Sequence, residues 1–189
     1  MPRILVLYGT SGGHTAKVAR VIGARLLVDG LDADIFEAGT ADPKPVHYDG
    51  IIVAASVRAG GYQKSVRNWV RKHAADIGAR PTAFVSVCLS IRSIHPKERE
   101  QASAIPRRFF ESVGWHPQVV KIVAGALPYT KYNFLIRWIM KRIVQQAGGD
   151  TDTSRDYEYT DWRDLREFAG AFGRSVTAVA SVTTGIAAA

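Results

Sequence analysis

Residues 4–15 read ILVLYGTSGGHT, and this stretch decides the fold. Its first part, residues 4–8, is a short continuous apolar run, which is typical of a strand buried on both faces of a parallel sheet. The second part is a loop rich in glycine and hydroxyl groups, and it leads into a helical pattern that ends near Gly30. Open α/β sheets bind their ligands at loops of this kind, which follow the carboxyl ends of strands.

The same alternation of strand and helix continues along the chain. Further apolar runs predict strands at residues 50–54, 82–88 and 119–124, with a weaker edge strand at 33–36. Apolar residues with helical spacing follow at 66–73 and 162–176. This alternation implies right-handed crossovers, so the sequence predicts one doubly wound α/β domain over residues 1–176. Residues 177–189 are small and uncharged, and they predict a frayed tail.

The loop after the first strand is suited to hold a phosphate group. Glycines turn backbone N–H groups toward an anion, hydroxyls add donors, and the helix N-terminus adds the positive end of its dipole. His14 stands where the lysine of a Walker A loop would precede Thr15, and the dinucleotide pattern G-x-G-x-x-G is absent. These donors suit the monoester phosphate of FMN, although a glycine-rich turn that binds nothing has the same pattern. The predicted FMN contacts are Thr10, Ser11, Gly12, Gly13, His14 and Thr15.

Charge is distributed unevenly along the chain. It has 25 Lys and Arg against 17 Asp and Glu, a net charge of +8, and no acidic residue occurs from Ser112 to Gly149. Such a one-signed segment attracts anions, whether nucleic acid, anionic lipid or a small carboxylate. A nucleic-acid-binding role would leave the phosphate loop without a purpose, so we expect no nucleic-acid partner.

Other features of the composition predict the compartment. No apolar run approaches the ~20 residues that a bilayer span requires. The first residues read as a buried strand and not as a signal peptide, and the single cysteine, Cys88, is compatible with a reducing environment. We therefore expect a protein of the cytoplasm, attached to a membrane at most peripherally.

In its phosphate loop the sequence resembles the flavodoxin family, which implies a flavodoxin-like sheet of five parallel strands in the order 2-1-3-4-5. In that family two further loops after strands hold the isoalloxazine ring. Carried over by position, the first ring loop predicts cofactor contacts at Ala55, Ser56, Val57 and Arg58. The second ring loop predicts them at Ser86, Val87, Cys88 and Leu89. The sequence leaves open whether Arg58 faces the flavin or solvent, and whether Tyr62 stacks on the ring or packs in the core. Cys88 is expected to be a buried strand residue.

Two segments exceed what a minimal electron carrier needs: residues 91–115, and a basic insert at about 127–160. Within the insert, residues 132–147 predict a helix. Placed at 100° steps, one arc is apolar and is expected to pack inward; it contains Leu135, Ile136, Ile139, Met140, Ile143 and Val144. The opposite arc interleaves aromatics with cations, and it predicts contact with substrate or membrane through Phe134, Arg137, Trp138, Lys141 and Arg142. A helix face that is merely solvated is the alternative.

Over nearly its whole length the chain resembles the menaquinone-dependent protoporphyrinogen IX dehydrogenases. The resemblance rests on KHA at 72–74, SVCL at 86–89, AGAL at 124–127, GGDTDT at 148–153 and YTDW at 159–162. It implies FMN, oxidation of protoporphyrinogen IX to protoporphyrin IX, and electron transfer to a membrane quinone, menaquinone or ubiquinone. It also implies cofactor contacts at Gly149, Asp150, Thr151 and Asp152. Ala59 departs from the aromatic residue expected there.

Hydride transfer to a flavin requires no catalytic triad and no metal, because the cofactor carries the chemistry. The five histidines are scattered, so the sequence predicts no acid, base or metal ligand. An NAD(P)H:quinone reductase and a flavodoxin-type electron carrier are the alternatives. We expect peripheral attachment at an anionic membrane surface, on the cytoplasmic side of the inner membrane. A homo-oligomer is left open.

Overall fold

Five parallel strands form the central sheet of the computed structural model, in the order β2-β1-β3-β4-β5. The structure describes residues 1–131, 133–146 and 148–187, without the side chains of Ile136 and of residues 182–187. The strands are β1 (Arg3–Gly9), β2 (Asp32–Glu37), β3 (Gly50–Ser56), β4 (Thr82–Val87) and β5 (Val119–Val123). The predicted fold class and strand order are confirmed, as is the edge position of β2.

Helices cover both faces of the sheet. They are α1 (His14–Val28), α2 (Lys64–Gly78), α3 (Pro96–Val113), α4 (Phe134–Gln146) and α5 (Trp162–Ala187). On β1, Ile4 and Val6 pack in a core with residues of α1 and α5, whereas Leu5 and Leu7 pack in a second core with residues of α2 and α3. This alternation explains why the strand is apolar throughout, since both of its faces are buried.

The register brings the carboxyl ends of the central strands side by side. Gly9 of β1 lies opposite Ala55 of β3, and Ser56 of β3 lies opposite Val87 of β4. The phosphate loop and both predicted ring loops therefore begin on the side of the sheet where the strands end. Ligands of open α/β folds bind on this side.

Two predictions about β5 and the segment before it were wrong. Residues 91–115 are not extra material, because α3 is the crossover helix that parallel pairing of β4 with β5 requires. The strand β5 is not buried on both faces, since it is the second edge of the sheet and exposes Val119 and Val120. Apolar composition alone does not distinguish an edge strand from a central one.

The insert forms a small unit of its own, and it contains the predicted helix. An antiparallel pair, β6 (Ala126–Leu127) and β7 (Tyr157–Glu158), encloses α4 in the chain order. Leu127, Tyr129 and Val144 form its buried cluster, against which Leu89 from the loop after β4 also packs. The insert is thereby joined to the edge of the sheet at which the strands end.

The C-terminal segment also differs from the prediction. The helix α5 continues to Ala187, so the part of the predicted frayed tail that the structure describes is helical, and residues 188–189 lie outside it. The small residues that suggested fraying are compatible with a helix, because alanine has the highest helix propensity. In the described part of the chain, no helix has both the length and the apolar content that crossing a membrane demands.

Candidate functional site

The phosphate loop ends at Gly13, which has φ of 86° and directly precedes α1. A side chain disfavours this left-handed conformation, which explains the glycine. The Gly13 N–H donates to Thr10 Oγ1 at 2.9 Å, so the hydroxyl of Thr10 braces the loop from within. The first turn of α1 contains no acidic residue and no side chain caps its amino end. Its free N–H groups and the helix dipole therefore favour an anion.

A buried hydroxyl at the start of α1 lacks a partner. Thr15 is fully buried, and its Oγ1 makes no hydrogen bond among the residues that the structure describes. An unpaired buried donor is costly, by roughly 1–3 kcal/mol. A phosphate oxygen in the loop would accept this hydrogen bond, so the residues present fit a phosphate group.

Gln63 joins two of the predicted loops, although the sequence pattern did not single it out. Its Nε2 donates to Ser11 Oγ at 3.1 Å and to Ser56 Oγ at 2.8 Å, while its own Oε1 is buried and has no partner among the residues described. The end of β1 can approach α2 this closely because residue 9 is glycine: a Cβ there would lie 2.4 Å from Val66. Ser11 and Ser56 are thus brought together by Gln63, a residue that directly precedes α2.

His14 connects the phosphate loop to the far end of the chain. Its Nε2 lies 2.7 Å from Thr160 Oγ1, which donates to the Ala124 carbonyl at 2.6 Å. Because a hydroxyl has one proton to donate, His14 carries its proton on Nε2. Burial lowers the pKa of His14, and this effect outweighs the opposing charge of Glu158. His14 is therefore a neutral residue that fixes the loop. Thr160 is a second site residue: the sequence placed it in the YTDW motif but did not assign it to the site.

The first ring loop turns tightly at its tip. Arg58 and Gly61 exchange backbone hydrogen bonds, and both residues between them have positive φ, 47° at Ala59 and 75° at Gly60. Two positive φ values at the centre of a four-residue turn define type I′. Arg58 is exposed on this turn, and Val57 N–H donates to the Val87 carbonyl of the neighbouring loop at 2.8 Å.

The second ring loop begins in the core. Tyr62 packs edge-on against Phe84 and Phe109, and its hydroxyl lies 2.7 Å from Ser86 Oγ. The core alternative for Tyr62 is therefore confirmed, and the side chain of Ser86 is directed to it. Cys88 is buried as expected, and desolvation raises the pKa of its thiol. A thiol of this kind is unreactive, since the thiolate is the nucleophile.

The segment Gly149–Asp152 is bonded to other residues of the insert. The Asp150 carbonyl accepts from Tyr129 Oη at 3.0 Å, and its carboxylate accepts from Tyr159 Oη at 2.5 Å. Asp152 accepts from the N–H and hydroxyl of Ser154, and these bonds lower the pKa of its carboxyl group. Among the described residues these carboxylates bind no part of the phosphate loop. Their contact with the cofactor stays a prediction that the resemblance alone supports.

The helix α4 is rotated relative to the prediction. Its buried line runs through Val144, Met140 and the half-buried Arg137, whose Nε donates to the Tyr129 carbonyl at 2.9 Å. The arc expected to pack inward is largely exposed, with Leu135 at 62%, Ile139 at 42% and Ile143 at 52%. Phe134 and Trp138 of the opposite arc are exposed as predicted. Periodicity shows that a helix is amphipathic, but it does not show which of its faces the fold covers.

An aromatic wall flanks the second ring loop. Tyr157 and Tyr159 have ring planes 6° apart and centroids 6.3 Å apart, as expected for alternate residues on one side of an extended chain. The Arg92 guanidinium lies 4.8 Å from the centroid of the Tyr159 ring. Arg92 ends the short 3-10 turn Leu89–Arg92 that follows β4. We use the term aromatic wall below for Tyr157, Tyr159 and the Arg92 side chain above the Tyr159 ring.

A cavity of about 480 Å³ lies at the opposite edge of the sheet, where the strands begin. His47, Asp49 and Arg80 line it, and Arg80 is engaged by the Tyr48 and Asp76 carbonyls. It is distant from the loops after the strands, where the unpaired hydroxyl and the free helix N-terminus lie. Its size therefore does not make it the functional site.

Comparison with known proteins agrees with this geometry. The family description "Flavodoxin domain" matches residues 5–154. Two flavodoxin structures share the fold: Flavodoxin 1 of Bacillus cereus, with a TM-score of 0.56 and 14% identity over 91% of this chain and 97% of that one; and the flavodoxin of Streptococcus pneumonia TIGR4, with a TM-score of 0.53 and 15% identity over 93% and 98%.

More similar in sequence are two proteins named protoporphyrinogen IX dehydrogenase [quinone]. That of Escherichia coli K12 is 33% identical over 169 residues, which cover 88% of this chain and 92% of the relative. That of Leishmania major is 34% identical over 181 residues, which cover 94% and 78%. The likeness extends through the insert. The chain therefore has a flavodoxin domain and belongs to the family of the quinone-dependent protoporphyrinogen IX dehydrogenases.

Proposed function

We propose that the protein oxidises protoporphyrinogen IX to protoporphyrin IX with FMN as its cofactor, and passes the electrons to a membrane quinone. The observation that carries the proposal is the combination of two features in one chain. One is a phosphate loop with an unpaired buried hydroxyl at Thr15. The other is the likeness to dehydrogenases of this name over 88% of the chain, the insert included.

The choice of FMN rests on the size and charge of the loop. One phosphate group is enough to engage Thr15 Oγ1 and the N–H groups at the start of α1. When bound, FMN supplies hydride acceptance and return, and the protein supplies binding, orientation and electrostatics. Gln63 holds the phosphate loop against the first ring loop through Ser11 and Ser56, so it would keep the two parts of the FMN site together. The exposed Arg58 on the first ring loop would add positive charge to the flavin site.

We further infer that the reaction occurs at the cytoplasmic surface of the inner membrane, where quinone is dissolved. The support is α4, which exposes a continuous apolar arc beside Lys141 and Arg142. An amphipathic helix with this composition lies in the plane of a bilayer interface, and the anionic cytoplasmic leaflet attracts its cations. The buried free thiol of Cys88 is compatible with that compartment.

Anaerobic mixing of the purified FMN-loaded protein with protoporphyrinogen IX tests the function. We expect the flavin absorbance to bleach, and a quinone added afterwards to restore it. NADH in place of porphyrinogen should bleach the flavin slowly. Rapid bleaching by NADH and none by porphyrinogen would support an NAD(P)H:quinone reductase instead. Bleaching by neither donor would support an electron carrier.

A further inference from the structure

We propose that the aromatic wall is the tetrapyrrole subsite, with Arg92 binding a propionate of the substrate while a pyrrole lies along Tyr159 and Tyr157. This inference rests on the proposed function and adds the residues that recognise the substrate. The sequence alone predicts contact with substrate or membrane through the cations of α4.

The aromatic wall is in the right position for a substrate that must meet the flavin. Arg92 is three residues beyond Leu89, the last residue of the second predicted ring loop. Tyr159 N–H donates to the Gly125 carbonyl at 3.1 Å, and a Cβ on Gly125 would lie 3.7 Å from the Leu89 nitrogen. The wall and the ring loop are therefore neighbours, at the edge where the strands end.

Arg92 has an exposed guanidinium group that is available to a carboxylate. In the part of the chain that the structure describes, no carboxylate oxygen lies within ion-pair distance of it. Arg155, above the other ring, differs because it is 3.3 Å from Asp152 and donates to Tyr157 Oη. An arginine accepts a carboxylate in a bidentate geometry, which selects for this group over a neutral ester.

The rings below Arg92 are fixed before a ligand arrives. Tyr159 Oη donates to the Asp150 carboxylate, and the carbonyl of the same residue accepts from the fully buried Tyr129. A rigid aromatic surface loses little conformational entropy when a flat ring settles on it. The pyrroles of the substrate are such rings, and they would contact the parts of the two tyrosines that Arg92 and Arg155 leave uncovered, since each guanidinium lies over one ring. An arginine over an aromatic face keeps its cation oriented.

The cations of α4 are less suited to this role. Arg137 is half-buried and donates to the Tyr129 carbonyl, so it braces the insert. Arg142 lies 5.3 Å from the centroid of Trp138, on the exposed side of the helix. Lys141 and Arg142 lie on the helix that exposes the apolar arc, whereas Arg92 lies in the turn after β4. We therefore assign the exposed cations of α4 to the bilayer and the propionate to Arg92.

The test compares Arg92→Gln and Arg92→Lys with the parent, in detergent solution without vesicles and with FMN bound. Arg107→Gln, on the exposed side of α3, is the matched control. Two quantities are measured: the KM and kcat for protoporphyrinogen IX, and the Kd for protoporphyrin IX and for its dimethyl ester by titration. A hydrogen-bonded charge pair is worth about 1.5–3 kcal/mol, which is roughly 10- to 150-fold in affinity.

We expect Arg92→Gln to raise the KM and the Kd for the diacid by at least about tenfold, with kcat, FMN content and ester binding close to those of the parent. Arg92→Lys should restore part of the loss, and Tyr159→Leu should weaken diacid and ester alike. If Arg92→Gln binds the diacid as the parent does, or loses diacid and ester equally, the inference fails. If the parent itself neither binds nor oxidises the tetrapyrrole, the proposed function fails.

Discussion

Single residues decide how the cofactor is held, and Thr15 offers the sharpest test. Thr15→Val keeps the shape of the side chain but removes the unpaired hydroxyl. We expect FMN to bind more weakly by about 1–3 kcal/mol, which is roughly 5- to 150-fold in Kd. The stability of the FMN-free protein should be unchanged or higher, because an unsatisfied buried group is lost. Quenching of FMN fluorescence during titration measures the affinity.

A control for this substitution is available at the other end of the sheet. Thr82 is also buried, and its Oγ1 accepts from Gln118 N–H at 3.3 Å. Thr82→Val should therefore lower stability and leave the Kd for FMN unchanged. An equal loss of FMN affinity in both variants would show that Thr15 acts only through the fold.

His14 predicts a dependence of stability on pH. Its pKa in the folded FMN-free protein lies below the value of about 6.5 in an unfolded chain, because the ring is buried. As the pH falls through about 6.5, the unfolded state binds the proton before the folded state does. His14 therefore lowers the free energy of unfolding at acid pH. In His14→Gln, the decrease in the free energy of unfolding between pH 7 and pH 5 should be smaller.

Urea unfolding of both FMN-free proteins across this range measures the effect. The quantity compared is the slope of the free energy of unfolding against pH. The contribution of the other histidines to this slope is the same in both proteins, so it cancels. His73→Gln serves as a control, since His73 is also a buried histidine but binds a carboxylate, Asp42, at 2.8 Å. Parallel slopes for the parent and His14→Gln would contradict the neutral, buried assignment of His14.

At the scale of the element, α2 shows what one family motif does. Lys72 and His73, part of the KHA motif, both bind the carboxylate of Asp42, which also accepts from Lys44. Hydrogen bonds from these three residues lower the pKa of the Asp42 carboxyl group, and the bond from Lys44 has the largest effect. The motif therefore fastens α2 to the segment after β2, and its role is structural. Nothing in the motif itself distinguishes this role from a catalytic one.

The exposed arc of α4 predicts membrane binding with two separable parts. Lys141→Gln with Arg142→Gln should weaken binding to anionic vesicles by about 2 kcal/mol, or roughly 30-fold, and this part should fall with salt. Ile139→Gln with Ile143→Gln should weaken binding to neutral and anionic vesicles alike, since buried apolar area supplies this part. Co-sedimentation with vesicles measures both, and FMN content should stay at the level of the parent.

Val119 and Val120 provide the matched control, because they are exposed apolar residues on β5 and lie outside the insert. Replacing both with Gln should leave vesicle binding unchanged. Our assignment of α4 to the bilayer is refuted if the parent does not bind vesicles, or if the α4 variants bind as the parent does.

For the whole molecule, the sequence predicted what local patterns encode. The apolar runs predicted the strands, and the glycine-rich segment predicted the phosphate loop. The order of the strands followed from the resemblance to the flavodoxin family. The errors concern what one segment does to another: which face of α4 is covered, and whether β5 has a neighbour on both sides. Gln63 and Arg92 were missed because each has a partner far away in the chain, Ser11 and Tyr159. The site role of Thr160 was missed because its partner His14 is 146 positions away. Such contacts have no local signature in one sequence.

The bond between His14 and Thr160 spans 146 positions of the chain, and this has a consequence for biosynthesis. Ribosomes add roughly 5–20 residues per second, so about 7–30 s pass between synthesis of the phosphate loop and of the residue that secures it. During that interval the loop exists without its anchor. A nascent chain is therefore expected to acquire FMN late, after most of the polypeptide has left the ribosome. Translation itself then delays loading of the flavin until the insert is present.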